Sequence, residues 1–168
     1  MKSIEALHLP NPCEEPVSQG RAIRYNTEKD ESGHIVITGI ELISTDGSRI
    51  SSTDWREANP LGRWEDIALT RVRVVNPVDN TLEVPHALTL GVAEAANLRS
   101  RGPSSLETIQ IAADAYNLAA ALGIPESKTV QRVFSANGAL DPLPRATASG
   151  WIRRAKDSGL INEGQETP

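Results

Sequence analysis

Arg145-Ala146-Thr147-Ala148-Ser149-Gly150-Trp151-Ile152-Arg153-Arg154-Ala155-Lys156 is the stretch on which the reading of this chain turns. Ala148, Trp151, Ile152 and Ala155 recur at the spacing that gathers apolar side chains on one side of an α-helix. At about 100° per residue, the opposite side centres on Ala146, Gly150 and Arg153. Arg145, Ser149 and Lys156 flank that centre on one side, Thr147 and Arg154 on the other. The middle of the face is small and its rim is cationic or hydroxylic. Such a face suits a helix entering the major groove of duplex DNA. Small residues permit close approach, cations neutralise phosphate, and arginine and hydroxyl groups reach base edges. Arg145, Thr147, Ser149 and Arg153 are the expected base contacts, and Arg154 and Lys156 the expected phosphate contacts. The bland alternative is a solvated face whose C-terminal cations are favoured by the helix dipole.

Working outward, two more helices precede this one. Ser104-Ser105-Leu106-Glu107 supplies a capping hydroxyl and a carboxylate in a first turn. Leu106, Ile109, Ala113, Tyr116 and Ala120 then recur at helical spacing, and Gly123 with Ile124-Pro125 ends the helix. A second helix begins after Pro125, with Glu126 in its first turn and Val130, Val133 and Phe134 as its apolar face. It ends by about Ser135, and Asn137-Gly138 marks a turn. The third helix is capped by Asp141 with Pro142 at its first position, or starts later, near Pro144. Gly159 stops it, leaving Leu160-Ile161 to fold back on the core. Between residues 126 and 156, six basic residues (Lys128, Arg132, Arg145, Arg153, Arg154, Lys156) face two acids (Glu126, Asp141), a local charge of +4 in a chain of net charge -5. A basic patch on an acidic chain is what a DNA-facing surface requires, since phosphates supply much of the affinity. Lys128 and Arg132 therefore join the expected DNA-binding set.

The run Ala119-Ala120-Ala121-Leu122-Gly123, then Thr129-Val130-Gln131-Arg132-Val133-Phe134, then Arg145 to Lys156 ending in Gly159-Leu160-Ile161, resembles the helix-turn-helix proteins of actinobacteria and their phages. The resemblance covers about 60 of the 168 residues. It implies that the segment binds DNA with its last helix, residues 144–158, as reader. The chain departs from the usual pattern in the connection between the two motif helices, residues 135–143, which is longer than the customary three or four residues.

The N-terminal half resembles no family and is read from its residues. Pro10, Pro12, Pro16 and Glu14-Glu15 suggest a flexible arm over residues 1–20. Ala22 to Tyr25 alternates like a strand, Lys29 to Gly33 is a polar turn, and His34 to Ser44 is long and β-branched. Asp46-Gly47 is a hairpin signal, so Arg49-Ile50-Ser51 is expected to begin a third strand. Thr53-Asp54 offers a helix cap, and a second short helix is expected from Leu61 through Thr70. Trp55 and Trp64 are expected to cover the sheet. Val72, Val74 and Val75 extend that helix or form a short strand, and Leu88 to Leu98 reads as a helix. Arg101-Gly102-Pro103 marks the boundary. The expected class is α+β: a small antiparallel sheet with short helices over 21–103, a trihelical helix-turn-helix domain over 104–161, and a tail, 162–168.

Apolar residues at 39% allow a real core, and aromatics at 4% mean that Leu, Ile, Val and Ala build it. The single cysteine, Cys13, has no partner for a disulfide, and no apolar run approaches the length of a membrane helix, so a cytoplasmic protein is expected. His8, His34 and His86 lack metal-ligand spacing, and no phosphate loop or nucleophile elbow is present. No metal, cofactor or enzymatic activity is expected. The expected function is a DNA-binding transcriptional regulator of bacterial or phage type, with double-stranded DNA as partner and no membrane. A homodimer or a protein partner would engage the N-terminal half, since paired half-sites raise specificity. A phage packaging or recombination accessory protein is a variant of that reading. The alternative from another class is a non-enzymatic adaptor or inhibitor whose helical module binds an acidic protein.

Overall fold

Two long strands, β3 (Arg21–Lys29) and β4 (Ile35–Ser44), form an antiparallel hairpin in the N-terminal part of the chain. The turn between them closes as the sequence predicts. Asp30 donates its amide to the His34 carbonyl (2.9 Å), and its carboxylate accepts the amides of Ser32 and His34. The computed structural model describes residues 7–161, and the chain divides into two compact units, Met1–Glu83 and Val84–Pro168. The class is α+β: antiparallel sheets with short helices first, then a packed module of three helices.

The third strand of the main sheet is not the expected one. It comes from the stretch read as an arm: β2 (Cys13–Ser18) pairs with β3, Cys13 opposite Tyr25 and Glu15 opposite Ile23. Its prolines and glutamates mask an alternation in which Cys13 is buried, Glu15 and Val17 are half-buried, and Glu14, Pro16 and Ser18 are exposed. Proline is tolerated there because β2 is a sheet edge, where its missing N–H removes no ladder bond. Asn11 ties the preceding segment down, its amide bridging both backbone groups of Thr27 (2.8 and 3.0 Å). Residues 1–6 of the expected arm, and the expected tail 162–168, lie outside the described residues.

Residues 49–51 form no strand, because a buried side chain organises them. The Arg21 guanidinium donates to Gly20 O (2.9 Å), Ser48 Oγ (2.6 Å) and Arg49 O (3.0 Å), with the carboxylates of Asp46 and Asp54 at 3.4 and 3.5 Å. The chain wraps around this cation instead of turning back along β4. It then enters α1 (Ser52–Ala58), which is capped by Ser51 rather than by the expected Thr53-Asp54. Ser51 and Asp54 exchange hydrogen bonds in a capping box.

Helix α2 (Pro60–Arg71) buries Trp64, Ile67, Ala68 and Leu69. Trp64 packs on Tyr25 with ring centroids 5.1 Å apart, and the Tyr25 hydroxyl donates to Pro60 O (2.7 Å). Burial pushes the Tyr25 phenol up to about 12. Trp64 thus covers the sheet as expected, but Trp55 does not: it stays 44% exposed, and Ala58 is the buried residue of α1. Past α2 the chain forms a strand rather than more helix. The second sheet is β1 (Leu7–His8), β5 (Arg73–Val75) and β6 (Leu82–Glu83), all antiparallel.

The boundary falls between Glu83 and Val84, not at residue 103. Helix α3 (Val92–Arg101) belongs to the second unit because Ala95 and Leu98 are part of the helical core. That core is built by α4 (Leu106–Ala121), α5 (Glu126–Phe134) and α6 (Arg145–Asp157). Ser105 caps α4, and Ile109 and Ala113 are buried as expected. Leu106 is 74% exposed, whereas Ile111, Ala112, Ala115 and Leu118 are buried, because neighbours pack around most of α4. Among the described residues, no helix is long and apolar enough to cross a membrane.

The Arg21 cluster makes the first unit sensitive to acid. Asp46 accepts Ser48 Oγ (2.6 Å), Ser48 N (2.9 Å) and Ser44 Oγ (3.0 Å), and these bonds, chiefly from Ser48, hold its carboxyl well below the usual carboxylate range. A depressed folded-state value means the stabilisation is complete above the unfolded value, about pH 4, and is lost as pH falls below it. Asp46→Asn is expected to flatten the acid limb of the first unit's unfolding free energy. Urea titrations in that range check this, and an unchanged limb would show that the cluster carries no linked protonation.

Candidate nucleic-acid interface

Helix α6 starts at Arg145, with Pro144 as the residue before it, so of the two starts open to the sequence the later one is adopted. Its apolar side is the expected one: Ala148, Trp151, Ile152 and Ala155 are all buried in the helical core. The Trp151 ring meets Phe134 of α5 edge-on, centroids 4.7 Å apart and planes at 78°. An edge-to-face pair of this kind fixes the roll of one helix on the other. Gly159 adopts φ +69 and stops α6, and Ile161 returns to the core.

With the apolar side anchored, Arg145, Ala146, Ser149, Arg153 and Arg154 are exposed, while Thr147, Gly150 and Lys156 are half-buried. Gly150, Thr147, Arg153 and Arg154 line a shallow cleft of about 390 Å3, together with Pro103, Trp151 and Asp157. A Cβ built on Gly150 would meet no atom within 4 Å, so this part of the helix is bare to its backbone.

The arginines of the chain divide into paired and unpaired ones, and Arg49 and Arg56 of the first unit also make no side-chain ion pair or hydrogen bond among the described residues. Arg24, Arg71 and Arg101 each meet a carboxylate. Among the described residues, Arg145, Arg153 and Arg154 make no ion pair and no side-chain hydrogen bond. The first turn of α6 carries no acid and no capping side chain, so its leading amides point outward.

The other expected residues are placed differently. Lys156 lies with Nζ 5.2 Å from the centroid of the Tyr116 ring, a cation–π contact that draws it toward α4. Lys128 is exposed on α5, one turn before Arg132. Arg132 is half-buried and donates to Asn137 Oδ1 (3.3 Å), which turns it toward the connection rather than toward the α6 face.

The long connection between α5 and α6 is pinned by side chains that the sequence did not single out. Ser135 is buried. Its hydroxyl donates to Gln131 O (2.7 Å) and accepts the Leu143 amide (3.1 Å). Gln131 Nε2 donates to Leu143 O (2.6 Å), and Arg99 donates to Asp141 O (2.7 Å). Leu143 is itself buried. Between these ties the chain reverses through three successive left-handed residues, Ala136, Asn137 and Gly138. No local motif announces this role; a serine after a helix is common, and its partner lies eight residues on.

Among the described residues, no group of three or more His, Cys, Asp or Glu side chains is placed to hold a metal ion. No family model, no curated protein and no solved structure matches the chain.

The Ser135 tie predicts a stability cost. Ser135→Ala leaves the buried Leu143 amide without its acceptor, which costs about 1–3 kcal/mol. Chemical denaturation of the full chain measures it, and a loss too small to detect would mean that the connection re-pairs without the hydroxyl.

Proposed function

We propose that the protein binds double-stranded DNA through α6, with α5 behind it as the supporting helix of a helix-turn-helix. The observation that carries this reading is the unpaired state of Arg145, Arg153 and Arg154 on one exposed face beside the bare backbone of Gly150. Guanidinium groups without carboxylate partners can meet phosphate or guanine edges without first breaking an ion pair. Ser149 and Thr147 add hydroxyls on the same helix, and its open first turn offers amides to a phosphate. Lys128, exposed on α5, is proposed as a flanking phosphate contact, with Arg132, which meets Asn137, and Lys156, which meets Tyr116, as further contacts at the rim. Regulation of transcription is the proposed use of such binding.

Two predictions test this. Replacing Arg145, Arg153 and Arg154 together by alanine is expected to leave the fold intact, because none is buried or paired. Duplex binding should weaken by roughly a hundredfold or more, and the dependence of log affinity on log salt should become shallower by about one for each phosphate no longer neutralised. Fluorescence anisotropy over a salt series measures both, and unchanged affinity would end the proposal. Gly150 separates stability from binding. Gly150→Ala should raise stability by about 0.5–1 kcal/mol, as a mid-helix glycine costs that much against alanine. Gly150→Gln should fold as well, yet lose roughly tenfold in DNA affinity, about 1.4 kcal/mol, by filling the face that must approach the bases. Full affinity in that variant would move the DNA-facing surface away from the centre of α6.

A further inference from the structure

The outward face of α6 also carries an acid. At about 100° per residue, Ala146, Gly150, Arg153 and Asp157 fall within about 60° of one another, on the side away from the buried Ala148, Trp151, Ile152 and Ala155. Asp157 is the last residue of the helix and is exposed, and it lines the cleft beside Gly150 with Arg153 and Arg154. The helix gains nothing from it. A negative charge in the last turn opposes the helix dipole, which favours cations at that end. Asp157 lies three residues after Arg154 and four after Arg153, spacings at which helical ion pairs form, although an acid C-terminal to its cation is the weaker order. Among the described residues its carboxylate makes no ion pair and no hydrogen bond. On a surface that only attracted phosphate it would lower affinity, because the backbone of DNA is uniformly negative.

An unpaired guanidinium and an unpaired carboxylate on one line match the edge of a G·C base pair. In the major groove guanine presents two acceptors, N7 and O6, and the cytosine beside it presents the N4 amino donor. The guanidinium fork answers the first and the carboxylate the second. An A·T pair in the same orientation sets the adenine amino group against the guanidinium and thymine O4 against the carboxylate. The inverted T·A pair answers the guanidinium with one acceptor in place of two. Residues four apart on a helix are offset by about 6 Å along its axis, which the long arginine side chain spans. An aspartate is short and reaches a base edge only where the backbone comes close. Gly150 and Ala146, on the same line, leave that approach open, and a Cβ at Gly150 would itself meet no atom within 4 Å.

We infer that Arg153 and Asp157 together read one G·C pair in the major groove, Arg153 donating to guanine N7 and O6 and Asp157 accepting from the cytosine N4 amino group. Asp157 is then a specificity-determining residue. It repels the phosphates of any duplex that offers it no amino group, so it lowers affinity for generic DNA and raises the preference for the right site. The inference rests on DNA binding by α6 and adds to it the base pair that is read.

The test is selection of bound duplexes from a random-sequence pool by the full chain, by Arg153→Ala and by Asp157→Ala. The wild-type consensus is expected to contain a G·C pair that neither variant selects. Both substitutions fall on exposed residues, so the circular dichroism spectrum should not change. Fluorescence anisotropy of the wild-type chain on the consensus duplex reads the same contact without any variant. Placing A·T at that pair should weaken binding about tenfold. Inosine·cytosine, which keeps the major-groove edge and lacks only the minor-groove amino group, should bind as G·C does. Asp157→Ala should bind duplexes without the consensus severalfold more tightly than the wild type. A consensus unchanged in Asp157→Ala, one altered at a position other than that of Arg153, or no consensus from a pool that is nonetheless bound would overturn the inference and leave DNA binding by α6 in place. A pool from which the wild-type chain retains nothing would overturn DNA binding itself, and this inference with it.

Discussion

The packing of Phe134 against Trp151 governs what the second unit presents to its surroundings. One ring ends α5 and the other sits in the middle of α6, edge to face at 4.7 Å. Once Trp151 is held there, Ala148, Ile152 and Ala155 must turn to the core, and Arg145, Ser149 and Arg153 must turn outward. The arrangement also needs α6 to start in the right place. That is the work of Ser135 and Gln131, which clamp both backbone groups of Leu143 just before the helix begins. A connection longer than a usual helix-turn-helix turn can therefore position the last helix, because buried hydrogen bonds replace shortness as the source of order.

The first unit is organised around a cation instead. Arg21 starts β3 and is buried, so its guanidinium must be satisfied from within. Gly20 and residues 44–54 supply partners for its two terminal nitrogens, while its buried Nε has none, and this draws the chain off the sheet and into α1. The strand expected after β4 is thereby diverted, and among the described strands β4 is an edge of its sheet.

Much of the helical unit was legible in the residues because its signals are local and periodic. The apolar stripe of α6, the Gly123 and Gly159 stops and the turn at Asn137-Gly138 all operate within one or two helical turns. Strand β4 was legible for the same reason, through a run of β-branched residues after a polar turn. The failures concern residues whose state depends on distant partners. Cys13–Ser18 looks like an arm by composition and becomes a strand only because β3 lies beside it. Trp55 looks like core and is exposed because α1 is short and buries Ala58. Asp46-Gly47 looks like a hairpin turn, but its carboxylate accepts from Ser48 and faces Arg21, and no strand directly follows it.

By itself, the sequence determined an α+β chain, the approximate places of the long helices and strands, and the composition of the outward face of α6. Those properties follow from spacing along the chain and from the short-range preferences of glycine, proline and β-branched residues. Tertiary structure alone decided which basic residues stand without a partner, with Lys156 drawn onto Tyr116 and Arg132 turned to Asn137 while Arg145, Arg153 and Arg154 remain open. It also decided that α3 joins the helical unit and that β4 is a sheet edge. Charge pairing, strand order and burial are relations between residues far apart in the chain, and they acquire values only when the chain has closed on itself.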